Sequence, residues 1–128
     1  MRDLDDLFQA LGRSAFRSRF RLGAVDAEYL RERGLPAVLE HGRRFVDTRL
    51  APAEPDRDGS QTPTRGHPVF VAHHATASCC RSCLAKWHHI TSGRPLAEAE
   101  KEQVLAAMER WLAAQPAAAE PPRQPRLL

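Results

Sequence analysis

VFVAHHATASCCRSCLAKWHH, residues 69–89, is the stretch on which the fold and the chemistry both turn. Its first four residues form the one strand-like run in the chain. The seventeen that follow, His73 to His89, contain all three cysteines and four of the six histidines. The order predicts a short strand over 69–72 leading into a Cys/His knuckle that a short helix caps. If that helix begins near Cys80, then Cys80 and Cys83 stand three apart on adjacent turns and can pinch one ion. Leu84 and Trp87, also three apart, would pin the helix to a core.

Cys80-Arg-Ser-Cys83 has the two-residue gap found both in zinc knuckles and in thioredoxin-like thiol pairs. His88 follows Cys83 at finger-like spacing, and His74 and His67 could approach from the strand and loop side. The expected ligand set is His74, Cys80, Cys83 and His88, with Cys79 and His67 as substitutes. Thiolate and imidazole favour zinc over magnesium or calcium. An iron–sulfur cluster on three cysteines and one histidine stays open, whereas haem attachment is excluded because Leu84, not a histidine, follows Cys83. Two other readings also stay open. Cysteines at a helix start near Arg81 and Lys86 would be reactive thiols, although no βαβ pattern surrounds them. Buried cysteines can also serve simply as small hydrophobes.

Outward from this stretch, APAEPDRDGSQTPTRGHP (residues 51–68) is a long aperiodic loop, and loops of that length in small domains are usually functional or mobile. Before it, Pro36 opens a helix running to Leu50, with His41 as an isolated surface residue. Asp26 is expected to cap a short helix closed by Gly34. Residues 3–12 carry Leu4, Leu7, Phe8 and Leu11 on one face behind three aspartates, and Gly12 is expected to end that helix. Phe16 and Phe20 are expected in the core. Downstream, Val104, Leu105, Met108, Trp111 and Leu112 mark a final helix from Glu98.

The chain has 128 residues, with 42% hydrophobic and 27% charged, which suits one soluble domain with one modest core. That domain is expected over residues 1–114, with 115–128 a disordered Pro/Ala/Arg tail. The fold class is mainly α with minimal β: about five helices and one short strand. No apolar run is long enough to cross a bilayer, and the acidic N-terminus is unlike a secretion signal, so a cytoplasmic location is expected. In that compartment clustered cysteines bind metal or do thiol chemistry more often than they form structural disulfides.

Net charge is only +3, but Arg13, Arg17, Arg19 and Arg21 crowd one segment with Phe16 and Phe20 interleaved. Such a patch can hold phosphates, and Arg13, Arg17, Arg19, Arg65 and Lys86 are the candidate partner contacts. A second polar group, Asp58, Gln61, Arg65, His67, Lys86 and His89, could serve hydrolysis beside a metal, though nothing in its spacing demands this.

RGHPVF, HATASCCRSCLAKWH and FRSRFRLG together resemble a small bacterial family, domain of unknown function 4186, over about residue 4 to about residue 113. The family's pattern falls on Arg65, Gly66, His67, His74, Cys79, Cys80, Arg81, Cys83, Lys86, Trp87 and His88, and leaves His73 and His89 outside it. The resemblance implies a self-contained one-domain protein and brings no activity with it. Two functions follow from the residues: a zinc-stabilised module that binds nucleic acid or a protein partner, and a small metal-dependent hydrolase or thiol-redox protein using the same cluster.

Overall fold

The computed structural model describes residues 1–119. Among these, eight α-helices follow one another and there is no strand. They are α1 (Leu4–Arg13), α2 (Ala15–Ser18), α3 (Ala24–Arg33), α4 (Leu35–Phe45), α5 (Pro68–Ala75), α6 (Arg81–Cys83), α7 (Glu98–Ala113) and α8 (Pro116–Ala119). A π-helical turn extends α4 through Val46–Leu50 and another extends α6 through Leu84–His88.

The mainly α class is as expected, and the strand is the main correction. VFVA lies in α5, started by Pro68 in its first turn and by the His67 ring, whose Nδ1 accepts the Val69 N–H at 3.1 Å. Val69, Val71, Ala72, His73 and Ala75 are all buried, so α5 is covered on most sides and shows no polar face. A short apolar run of this kind reads equally well as a buried strand.

Smaller differences have equally local causes. Helix α1 continues past Gly12 to Arg13, and Ser14 accepts the Arg17 N–H to start α2 at once. Helix α3 begins at Ala24 behind Gly23, which leaves Asp26 in its first turn with its carboxylate accepting the Gly66 N–H. Phe16 is 46% exposed and not in the core. Gly34, at φ +83°, closes α3 as expected. Residues 120–128, which hold most of the expected tail, lie outside the described residues. Pro116–Ala119 form a helical turn whose Ala117 is buried in the core.

The core gathers Leu30, Val38, Val46, Val69, Leu84, Val104, Met108 and Leu112 from α3, α4, α5, α7 and the turn after α6. Helices α4 and α7 approach closely at Gly42, where a Cβ would meet Met108 Cε at 3.3 Å. A smaller cluster of Leu7, Leu11, Ala77 and Ala107 seats α1 beside the cysteine turn.

The long loop is held from inside. Arg81 is 1% exposed, and its guanidinium donates to Pro52 O (2.8 Å), Thr91 O (3.0 Å) and Arg94 O (2.8 Å), with Leu50 O and Ala51 O at 3.4 Å. Asp58 closes the other end, accepting the Arg81 N–H at 3.0 Å and the Gln61 amide at 3.1 Å. One buried planar fork thus ties residues 50–52 to 91–94, which a loop without periodicity could not do by packing.

Candidate metal centre

The cysteines sit on a turn that α5 and α6 build between them. Helix α5 ends at Thr76, whose hydroxyl donates to Ala72 O at 2.8 Å. Ala77 then takes φ +57°, an unusual conformation for a residue with a Cβ. Its methyl packs against Leu7, Leu11 and Ala107, and that burial offsets the strain. Ser78 follows with its N–H on His73 O and its hydroxyl 2.8 Å from His73 Nδ1. The chain leaves this buried turn extended. Thr62 of the long loop donates to Cys79 O at 2.8 Å, and Cys80 becomes the residue that starts α6.

This geometry brings the Cys79, Cys80 and Cys83 sulfurs within 4.8 Å of one another. Cys79 Sγ and Cys83 Sγ are 3.6 Å apart, and Cys80 Sγ is 3.1 Å from Ser82 Oγ. All three cysteines are free thiols. Three sulfurs so placed can hold a metal ion.

Arg17 completes the corner. It is 9% exposed, and its guanidinium donates to His74 O (2.8 Å), Cys83 Sγ (3.2 Å) and Cys79 Sγ (3.7 Å). It also lies over the Phe16 and Trp87 rings, at 5.0 and 5.8 Å from their centroids. The Cys79 thiol is pulled down to about 7, first by its hydrogen bond with Cys83 and then by Arg17, against the opposing effect of burial. Cys83 moves the other way, since it gives its proton to that bond and burial adds to the rise. The pair therefore favours one thiolate, on Cys79, beside one thiol.

Of the expected ligands, the structure brings Cys80 and Cys83 together and adds Cys79. No histidine or carboxylate among the described residues joins them. His74 has its Nε2 3.0 Å from Thr62 O and its ring stacked on Phe20. His88 is fully buried with its Nε2 2.7 Å from Thr76 O. His67 stands apart, at the start of α5 among Tyr29, His41 and Phe70.

Arg17, expected at a phosphate surface, faces the sulfurs instead, while Arg13, Arg19, Arg65 and Lys86 are exposed. The mixed polar group of the long loop does not assemble. Asp58 and Gln61 serve Arg81, His67 serves α5, and Arg65 lines a cavity with Phe20 and Val71. Sequence reading missed Arg17 as a thiol partner, because 62 and 66 residues separate it from the two sulfurs and its neighbours are also arginines.

His73 and His88 are buried and neutral, pushed down to about 3 and about 4, chiefly by burial. They fix the turn and leave the sulfurs free.

No solved structure matches the chain. Residues 5–113 match one family over nearly the whole described fold, with the thiol corner and both buried arginines inside the match, and the chain belongs to that family, domain of unknown function (DUF4186).

Proposed function

We propose that Cys79, Cys80 and Cys83 hold one thiophilic ion, zinc, and that the protein is a metal-stabilised binding module. The observation that carries this reading is the mutual approach of three sulfurs within 4.8 Å, two of them at 3.6 Å. Zinc–sulfur bonds of about 2.3 Å in a tetrahedron put neighbouring sulfurs roughly 3.8 Å apart. The corner is thus sized for a single ion. An iron–sulfur cluster places its own irons and sulfides between the ligands and needs them more widely spread. Three thiolates and a divalent ion sum to one negative charge, and the Arg17 guanidinium lies where it offsets that charge. The fourth position of a tetrahedral ion falls to water or to a donor that a partner brings. His67 and Arg65, which a hydrolase on this ion would draw on, serve other parts of the fold. A binding role therefore fits better, with Arg13, Arg19, Arg65 and Lys86 as exposed contacts for a nucleic-acid or protein partner.

Metal analysis of freshly purified protein tests it. About one equivalent of zinc is expected, falling sharply in Cys79→Ser, Cys80→Ser and Cys83→Ser variants that keep their helical circular dichroism. Folded wild-type protein with less than about a tenth of an equivalent of any transition metal would refute it. A second reading rests on the Cys79–Cys83 contact and the lowered Cys79 thiol: without metal, the pair is set up for thiol–disulfide exchange. Metal-free protein that forms no Cys79–Cys83 disulfide under a mild thiol oxidant would remove that reading.

A further inference from the structure

The segment Phe16–Arg21 carries a surface beside the thiol corner, which meets it at the Phe16 ring, where the Arg17 guanidinium lies 5.0 Å from the centroid. Phe16 is a large aromatic ring, 46% exposed, on the outer side of α2. The Arg19 guanidinium lies over it at 4.8 Å from the centroid, and the Phe20 ring meets it edge-on at 5.2 Å and 86°. Phe20 continues inward as one wall of a cavity of about 540 Å³. Arg21 and Arg65 stand at that cavity's rim, with Val25 and Val71 as further apolar lining.

Exposed aromatic and aliphatic side chains cost solvation unless something covers them, and 83% of Val25 is also open to water. The charged residues lining the Phe20 cavity are Arg21, Arg65 and Asp26, whereas Val25 also borders a second cavity with Glu28 and Glu32. Arg13, Arg19 and Arg65 are exposed and make no ion pair with a carboxylate among the described residues. Arg21 spends one nitrogen on the Ser18 and Phe20 carbonyls, which holds its stem in place. The acid at the cavity, Asp26, is buried and already accepts the Gly66 N–H. The surface thus offers an aromatic ledge, an apolar cavity of the size that takes one small-molecule unit, and guanidinium groups around both.

We infer that this surface binds single-stranded nucleic acid, with one unstacked base in the Phe20 cavity, a neighbouring base on Phe16, and phosphates on Arg19, Arg21 and Arg65. A base has a planar apolar face, which suits the ledge and the cavity. Its phosphates carry the charge that the unpaired arginines lack, and guanidinium binds phosphate bidentately. The ledge extends beyond the cavity, so the ligand is a strand and not a free mononucleotide. Duplex bases are already stacked and cannot enter. The inference builds on the partner-binding half of the proposed function and is independent of the metal half, which metal content reads separately. The two regions do touch. Phe20 stacks on His74 at 5.7 Å, and the His74 carbonyl accepts from Arg17, so the sulfur corner braces the cavity wall.

Fluorescence anisotropy with labelled single-stranded 12-mers of DNA and RNA, using the full chain at low salt, tests it. Binding is expected, with the logarithm of the affinity falling against the logarithm of salt at a slope of about −2, as three neutralised phosphates require. Phe16→Ala, at an exposed position, is expected to weaken binding about tenfold. Arg65→Ala is expected to weaken it and to lower the salt slope by about 0.7. Arg44→Ala, which removes an exposed arginine from a different cavity lined by His41 and Phe70, is expected to change little. Any of four results overturns the inference: no binding at low salt, duplex bound as tightly as single strand, a mononucleotide bound as tightly as the strand, or equal losses in Arg44→Ala and Arg65→Ala.

Discussion

Two buried guanidinium groups divide this protein. Arg81 gives its hydrogens to backbone carbonyls on two separate segments, and Arg17 divides its own between one carbonyl and two sulfurs. The first arrangement is saturated with fixed acceptors, so its role is to hold the loop and the turn before α7 in register. The second has soft, ionisable acceptors whose charge can change with a proton, an ion or an oxidant. The same side chain is an internal staple in one place and an electrostatic partner in the other. What it faces decides which.

That contrast makes its largest prediction at Arg81. Arg81→Ala leaves several buried carbonyls without a donor and opens a cavity beneath the loop. A loss of about 3–5 kcal/mol in denaturant unfolding is expected, a large share of a small domain's total stability. Arg81→Lys should recover only part, since a single ammonium cannot reach the carbonyls of both segments as the fork does. If Arg81→Ala unfolds at the wild-type denaturant midpoint, the staple is not what holds the loop.

The next effect is set by pH and belongs to the turn between the two arginines. His73 and His88 stay neutral in the folded protein down to about 3 and about 4, because burial disfavours their charged forms. An unfolded chain takes up both protons below about 6.5. The unfolded state then binds more protons, so the histidines' contribution is constant above pH 7 and falls as pH drops from 6.5 toward 4. Over their full windows the two contribute on the order of 3 kcal/mol for His88 and 5 kcal/mol for His73. Glu100 adds to the fall only below about 4.5, because its hydrogen bond with Arg94 holds its carboxyl at about 2. The interval from 6.5 to 4.5 therefore reports the buried histidines, with His67, which burial also pushes down, adding to His73 and His88. A urea midpoint that does not move between pH 7 and pH 5 would show that the two rings are not held neutral.

How much of this could be read from residues alone follows from the range of the forces involved. Helices α1, α4 and α7 announce themselves through apolar spacing, and Gly34 through its position after a helical run, because those signals are local. α5 misleads, since full burial erases the polar face that tells a helix from a strand. The cysteines declare a site by proximity in sequence, and Cys80 with Cys83 follows from one turn of helix. Cys79 joins them only because Ala77 takes a left-handed conformation, which no alanine advertises. Arg17 and Arg81 are harder still. Arg17 stands among other arginines and Arg81 between cysteines, and their partners lie 10 to 66 residues away. Which arginine turns inward depends on the finished packing.

The smallest effect on stability is at Arg17, where the effect on chemistry should be plain. With metal removed by chelation, the pH dependence of Cys79 alkylation by a small iodoacetamide reagent, followed by mass spectrometry, is expected to have its midpoint near 7, where the thiol is held. Cys83→Ala removes the larger influence, the hydrogen bond, and should move the midpoint well toward the free-cysteine range of about 8.5. Arg17→Leu removes the guanidinium and should move it upward by less, because the Cys83 bond remains. Arg17→Leu should cost less stability than Arg81→Ala, since it frees one carbonyl and two sulfurs in place of several carbonyls on two segments. A midpoint unmoved in Arg17→Leu would make Arg17 a second staple, and the difference between the two guanidinium groups would lie only in how many partners each holds.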